Sequence, residues 1–585
     1  MVFEPVQLPA QPNPPNWGAS VSVFRPGDDA AIQEEIARLS AGLTDREKGH
    51  FSAERRAFLF APGTYAVDAE VGYYVQVAGL GRRPEDVIIG GERGIYVDAM
   101  DPGQAGSLDT FWRSAENFRH VGQQGFRWAV SQAAPLRRVI VDGDLELFDP
   151  TARVNYASGG FLADAVVKGT LVLGSQQQWL ARNVELWNGA TGGAWSNVFV
   201  GCDGAPSEHV VANDAEDEDE PVVDEPRVSV VGATPVVAEK PFVAVNDDGT
   251  YVLVVPEILR DVAGAGDAPA AEVSFEDVFV ARAGEHDTDD IQTALDAGLH
   301  VVLAPGVFDL DAPLKITRPG AVLLGLGLAS LVAPDTGEPC VVVDDQGGIR
   351  LAGVVLQASK APTAVLLRWG GPGSSENPSV LSDVFARVGG PGSTDVRADV
   401  MAEVSASHVV LDNVWLWRAD HSELAPGETP RPGEQYHLVV TGECACDNGL
   451  VVDGDDVVAY GLAVEHTERD QLIWNGERGR VFFYQCELPY EVDQAFGDAG
   501  FAGYKVAPNV TKHASVAPGV YSYFRDHRCY VDAAVVAPDT AVFVNAFTKK
   551  LRAHEGILAT IVRTGPPASW RYWLPAVVAR WFGLA

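Results

Sequence analysis

The sequence predicts an all-β chain built as two tandem right-handed parallel β-helices with a cleft between them. Three observations lead there: an internal repeat, a long series of short alternating strands, and a composition rich in turn residues. Residues 60–81 read FAPGTYAVDAEVGYYVQVAGLG, and residues 303–327 read LAPGVFDLDAPLKITRPGAVLLGLG. Each copy holds an apolar strand, a Pro-Gly turn (Pro62-Gly63, Pro305-Gly306), an aromatic residue, alternating strand residues and a closing Gly-Leu-Gly. Matched stretches in the same order are the signature of a duplicated unit.

Each copy follows a helix-like segment that opens on acidic residues, DDAAIQEEI from Asp28 and DTDDIQTAL from Asp287. An Asp ahead of an i, i+3, i+4 apolar pattern is N-cap chemistry. Downstream come LRRVIVDGDLEL (136–147), GFLADAVVKGTLVLG (160–174), GIRLAGVVLQAS (348–359), HVVLDNVWLW (408–417) and GLVVDGDDVVAYGLAVEH (449–466). They alternate apolar with polar and carry Gly, Asn or Asp at the bends. Short strands recurring without helices fit coils stacked strand on strand, every second side chain feeding an apolar ladder and the rest lining a groove. A β-sandwich is the alternative, but it seldom recurs as twin units of this length. The 60 glycines and 37 prolines lack a collagen period and supply tight turns, while 46% hydrophobic against 21% charged residues marks a globular chain.

At 585 residues the chain exceeds one ordinary core. The expected division is a first β-helix over 1–205, an acidic linker and crossover over 206–275, and a second β-helix over 276–585. The acidic run from Asp214 cannot bury itself and reads as a solvated connector. The aromatic C-terminal stretch WRYWLPAVVARWFG (570–583) reads as a cap on an open solenoid end.

A net charge of −37 repels phosphate backbones and polyanionic sugars, which leaves a neutral polysaccharide or oligosaccharide as the expected partner and excludes nucleic acid. The six cysteines (Cys202, Cys340, Cys444, Cys446, Cys486, Cys529) lack paired CxxC spacing, so no zinc site is expected; free thiols and a disulfide from Cys444 or Cys446 both remain open. No secretion signal opens the chain and no apolar run approaches a membrane span. The protein is therefore read as intracellular, or as secreted with its signal already removed. It is expected to be a monomer. GLGLAS follows a strand but lacks the helix and ribose-binding acid of a dinucleotide site, so no cofactor and no metal are expected.

The chemistry concentrates in VEHTERDQLIWNGERGRVFFYQCELPYE (464–491). Glu465 ends one strand and Glu487 ends another 22 residues on, about one coil, which puts both on neighbouring rungs. Adjacent carboxylates desolvated by Tyr484, Tyr490 and Trp474 raise each other's pKa, so one stays protonated as a general acid; two solvated surface glutamates are the bland alternative. In GSQQQWLARN (174–183), Gln176 and Gln178 share one strand face while Gln177 points oppositely. They form a solvated ladder or hold a water or sugar hydroxyl, and Ser196 lies about one coil further on. Trp179, Trp195, Trp415, Trp417, Trp474 and Tyr504 crowd these regions, and part of the set is expected to stack on sugar rings.

At these residues the chain resembles glycoside hydrolase family 55, exo- and endo-β-1,3-glucanases with a tandem β-helix of pectin-lyase type. The resemblance rests on the PGTY and PGVF turns with their GLG closures, FWRSAEN (111–117), WAVSQAAPLRR (128–138), SGGFLAD (158–164), GSQQQW (174–179), EKPF (239–242), GLGLASL (325–331), WLWRADH (415–421), DNGLVV (447–452), GLAVEH (461–466), WNG (474–476) and YQCELPY (484–490). It implies inverting hydrolysis from the non-reducing end, with Glu487 as general acid. Glu465, Gln176, Gln178 and Ser196 are then implied to hold the nucleophilic water; from the aromatic crowding itself, Trp179, Trp195, Trp417, Trp474, Tyr490 and Tyr504 are expected to bind substrate. The chain departs from the family at Glu491-Val492-Asp493, at Thr467 and over residues 422–446, which are expected to border the cleft. A non-catalytic glycan-binding β-helix, or a hydrolase of another neutral glycan, is the alternative.

Overall fold

The computed structural model describes residues 8–99, 106–152, 156–209, 227–266, 268–551, 557–558 and 561–564. The acidic run from Asp214 and the aromatic stretch 570–583 lie outside them. Two stacks of parallel strands make up most of the described residues, as the alternating segments require, with antiparallel pairs among Thr234–Val237, Phe242–Val245, Tyr251–Pro256, Leu259–Val262 and Ala270–Ser274 between them in sequence. The first stack runs Val21–Phe24, Arg56–Phe60, Val75–Gly79, Arg113–His120, Pro135–Val141, Phe161–Ala163, Gln178–Arg182, Ser196–Val200 and Arg227–Val231. The second begins at Val278–Ala281 and continues through His300–Leu303, Val322–Val332, Arg350–Gln357, Ser379–Val388, Val409–Arg418, Val458–Glu465, Gly479–Glu487 and His513–Ser522. Between successive members the chain visits a second wall, as where Leu472–Trp474 separates Val458–Glu465 from Gly479–Glu487. Parallel strands joined by such crossovers coil right-handed.

Inside each coil the ladder is apolar. Leu323, Leu351, Leu381, Leu411, Ala459 and Val481 stack rung on rung in the second unit. Phe58, Val77, Ala115, Leu136, Leu162, Ala181 and Phe199 do so in the first. The two predicted helices form as Asp29–Ser40 and Thr288–Asp296; Asp28 accepts the amide of Ala31 at 3.0 Å and Asp287 that of Asp290 at 3.0 Å. Arg227–Val231 pairs with Ser196–Val200, so the first stack extends past the boundary expected at 205. All six cysteines are free, which removes the disulfide alternative. Among the described residues no helix is long and apolar enough to cross a membrane.

One departure from simple alternation decides which side chains leave the core. Residues Gly353, Asp383, Asn413, Gly461, Phe483 and Ala517 all have φ between 54° and 67° and stack in one column, each skipped by the ladder. A left-handed residue in a strand works as a bulge and shifts the in/out parity by one. Before the column Leu411, Ala459 and Val481 point inward; after it Val414, Leu416, Leu462, Val464, Tyr484 and Cys486 do. Glu465 and Glu487 therefore point outward.

The outer faces of the two stacks pack against each other. Phe161, Leu180 and Val198 meet Val380, Val410, Tyr460 and Phe482, and Tyr74 and Trp112 meet Phe385, Trp415 and Trp417. The Gly-Leu-Gly closures of both repeats lie in this seam, with Leu80 against Leu324 and Leu326, and Gly327 N–H donating to Gln76 at 2.8 Å. Between the apolar patches sits an ionic lattice. Arg137 donates to Glu239, Asp412 and Asp383 at 2.8 Å, and Arg182 to Asp412 and Glu239 at 2.8–2.9 Å. All five are at most 5% exposed.

Candidate active site

Past the parity shift, outward positions form two rows across the rungs. One runs Trp415, Ala463, Gln485, Gly519; the next contains Trp417 beside Glu465, and Glu487 beside Tyr521. The amide of His466 donates to the carbonyl of Glu487 at 2.8 Å, so the two glutamates sit on adjacent rungs, about 4.8 Å apart along the ladder. Glu465 is 2% exposed, whereas Glu487 is partly open.

Both stacks supply partners. Trp415 Nε1–H donates to Glu465 Oε2 at 2.6 Å, and Gln485 Nε2 approaches Glu487 at 3.4 Å. From the first stack, Gln132 Nε2 reaches Glu465 Oε1 at 3.2 Å, Gln485 Oε1 at 3.3 Å and Ser158 Oγ at 3.4 Å. Gln178 Nε2 donates to the same Ser158 Oγ at 3.4 Å, and Ser196 stands opposite Gln178 in the ladder. Gln132 Oε1, Gln178 Oε1 and Ser196 Oγ are buried without a protein partner. Tyr490 donates its hydroxyl to Glu487 Oε2 and packs its ring against His466, centroids 4.5 Å apart.

This environment resists negative charge. Burial pushes the Glu487 carboxyl up to about 7; the Tyr490 hydrogen bond opposes the shift and the charge of Asp420 adds to it. Burial also pushes Glu465 well above the carboxylate range, and the neighbouring Glu487 adds to that, against hydrogen bonds from Trp415 and Gln485. The pair titrates together and keeps a proton at neutral pH. Asp420 stays ionised despite burial, because His421 at 3.0 Å and His466 at 3.8 Å hold it low.

The sequence-predicted residues divide. Glu465, Glu487, Gln178, Ser196 and Tyr490 lie around the glutamate row, and Trp195 borders it, its ring 5.4 Å from Tyr521. Trp417 stands beside Glu465 in the ladder but is 2% exposed, packed against Trp112 with Nε1 on Asp420 at 3.2 Å, so it braces the row from within the seam and offers no face to a sugar. Gln176 does not share a face with Gln178: a turn precedes the strand, and its amide is spent on Val130 O at 2.9 Å, Leu147 O at 2.7 Å and Gly159 N at 2.9 Å. Trp179, Trp474 and Tyr504 are fully buried inside the coils, Tyr504 bonded to His513, so core packing and not sugar contact explains them. Tyr484 is likewise internal and donates to Gly503 O at 2.6 Å. Sequence reasoning passed over Gln132, Ser158, Gln485 and Asp420, and gave Trp415 no role toward Glu465. These act across coils or between stacks, and only their places in WAVSQAAPLRR, SGGFLAD, YQCELPY and WLWRADH pointed to them. Among the described residues no cluster of three or more His, Cys, Asp or Glu is placed to hold a metal.

The Gln pair gives a direct test. Gln176→Ala is expected to cost about 2–3 kcal/mol of stability by orphaning buried backbone groups. Gln178→Ala should unfold within about 1 kcal/mol of wild type yet turn over far more slowly. Urea unfolding beside initial rates separates the two.

A family model described as the Lam55 pectate lyase-like domain matches residues 278–487. The chain is 35% identical over 524 residues to the exo-beta-1,3-glucanase of Streptomyces sp. strain SirexAA-E / ActE, spanning 87% of this chain and 79% of that protein. It is 22% identical over 311 residues to a probable glucan endo-1,3-beta-glucosidase of Arthroderma benhamiae, 42% of this chain and 34% of that one. The structure of sacteLam55A from Streptomyces sp. SirexAA-E superposes with a TM-score of 0.82 at 31% identity, covering 96% of this chain and 98% of that chain. A variant of sacteLam55A in complex with glucose gives 0.81 at the same identity, over 96% and 97% of the two chains.

Proposed function

Since this chain belongs to glycoside hydrolase family 55, the tandem β-helix β-1,3-glucanases, we propose that it hydrolyses β-1,3-glucan from chain ends with Glu487 as general acid. The observation that carries the residue assignment is the row of two desolvated glutamates on one stack facing unpartnered buried amide and hydroxyl oxygens on the other. A protonated Glu487 delivers its proton to the glycosidic oxygen as the C1–O bond breaks, and a water attacks C1 from the opposite side. The anomeric carbon inverts, and the proton lost by that water passes into the polar network.

The rungs that carry Glu465 and Glu487 lie about 4.8 Å apart, whereas an acid and a base with water between them stand roughly 6.5–9.5 Å apart at their carboxyls. Glu465 is therefore not read as a lone base. With Trp415 and Gln132 donating to its two oxygens, it orients the network in which Gln132, Gln178 and Ser196 hold the water from the first stack. The same short spacing would suit a retaining nucleophile, and product stereochemistry separates the two. The neutral, partly aromatic furrow suits an uncharged sugar, and since one chain supplies both walls we read the working form as a monomer.

The test is hydrolysis of laminarin followed by proton NMR during the first minutes. The expected first product is a short sugar or glucose in the α-anomeric form, which then mutarotates. A β-anomer at first appearance would overturn inversion, and no sugar release would overturn the glucanase reading.

A further inference from the structure

The loop 423–443, within the segment 422–446 that departs from the family pattern, is anchored beside the glutamate row. It leaves His421–Ser422 and returns through His437–Leu438, which pairs antiparallel with it, His421 against Leu438 and Ser422 against His437. Val439 N donates to Asp420 O at 3.0 Å. Arg525 joins the loop to the acid's partner: its side chain donates to Val439 O at 2.6 Å and its amide to Tyr490 O at 2.8 Å. Just before the returning strand, Tyr436 reaches the first unit and packs against His50 and Phe51, centroids 5.0 and 5.4 Å away.

One side chain fastens this loop. His437 Nδ1 lies 2.6 Å from Glu428 Oε1 and Nε2 lies 2.8 Å from Glu443 Oε2. With a carboxylate at each ring nitrogen, both nitrogens must donate, which only the imidazolium can do. Each glutamate is pinned in turn: Glu428 accepts Ala425 N at 2.9 Å, and Glu443 accepts Val440 N at 3.0 Å and Thr394 Oγ1 at 3.2 Å. Of the other charges on or against the loop, Arg431 pairs with Asp526 at 3.5 Å, Glu423 accepts the amide of Gly392 at 3.0 Å, Glu434 is exposed near the tip, and Arg418 is bonded to Glu491 at 2.6 Å and to the carbonyl of Glu443 at 2.8 Å. Asp420 is paired with His421. Burial lowers the His437 pKa, but the bonds to Glu428 and Glu443 outweigh it and the net shift is upward. The ring is 22% exposed, so it titrates against bulk solvent.

We propose that the His437 clamp between Glu428 and Glu443 latches this loop as the end wall of the furrow, so that restriction to chain ends holds only while the clamp is charged. When His437 loses its proton, one ring nitrogen stops donating and faces a carboxylate with a lone pair. The wall then loosens and a chain can pass through. This rests on the β-1,3-glucanase reading above.

Periodate provides the probe, because it cleaves vicinal diols and so destroys the chain ends of laminarin while sparing internal 3-linked residues. Sugar release is measured from intact and from end-oxidised laminarin at about pH 6 and about pH 9, bracketing a raised histidine pKa. Taking the ratio of the two rates cancels the titration of Glu487. For wild type the oxidised-to-intact ratio is expected to rise about tenfold between the two pH values. His437→Arg, permanently charged, should stay low at both; His437→Gln should be high at both. Glu428→Gln, at an exposed position, should also be high and guards against a folding defect at His437. A wild-type ratio that does not move with pH, or a low ratio in both His437→Gln and Glu428→Gln, would overturn the latch. Absence of release from intact laminarin at about pH 6 would overturn the underlying activity as well, and so is told apart.

Discussion

Glu487→Gln is expected to lower kcat on laminarin by about a thousandfold or more, within the range that a positioned general acid contributes. The glutamine keeps the shape and still accepts the Tyr490 hydroxyl, but has no proton to give to the leaving oxygen. KM should change little, since the sugar-facing surface is preserved. In wild type the rate should fall as pH rises through about 7, where Glu487 ionises, and this limb should vanish from the residual activity of the variant. Stability should fall over the same range. The folded carboxyl keeps its proton up to about 7, while an unfolded glutamate releases it near 4.5, so its contribution is complete below 4.5 and lost as pH rises through about 7. Glu487→Gln, which never ionises, should thus match wild type in acid and melt higher above neutral pH. Thermal melts across pH beside initial rates check both halves; unchanged kcat would remove Glu487 from the acid's role.

Arg137→Met is expected to destabilise the protein by about 3–5 kcal/mol, the cost of taking one cation out of a buried charge network. Arg137 touches Glu239, Asp383 and Asp412, so its loss leaves Glu239 and Asp412 to Arg182 and Asp383 to Lys240 alone, one positive charge short in the seam between the stacks. Arg137→Lys should recover only part, because one ammonium cannot replace a planar fork bonded to both sides. The lattice also sets an acid limit. Burial would raise Glu239, but Arg137 foremost, with Arg182, holds it well below 4.5. Its contribution is therefore present above 4.5 and lost as pH falls through that depressed value. Urea unfolding followed by fluorescence should show the variant losing cooperativity, one stack melting before the other. A single transition at the wild-type midpoint would show that the apolar patches alone join the stacks.

Much of the architecture was legible because it rests on local rules. The duplicated Pro-Gly turn, the Asp28 and Asp287 caps and the alternating Val and Leu of each rung act within one coil, and all appear where the pattern put them. Glu465 and Glu487 were legible as neighbours because one coil separates them. Gln132 and Ser158 were not, since their partners lie on the other side of the seam or on another coil. Trp474, Trp179 and Tyr504 misled for a physical reason: a wide β-coil has room for large rings inside, so an aromatic next to a polar motif is as easily core as surface. Gln176 misled because a turn ahead of the strand reset its direction. The parity shift had partial signals at Gly353, Asp383, Asn413 and Gly461, residues that tolerate φ > 0, but Phe483 and Ala517 follow only because the rungs beside them already bend.

That shared bend makes the aim of the two carboxyls a collective property, fixed by neighbours above and below and not by either strand alone. A coil gained or lost elsewhere along the second stack would leave the acid facing its water. The furrow can thus grow or shrink in steps of about 4.8 Å, one thickness of backbone at a time, and acquire new sugar contacts while its reactive centre stays in place.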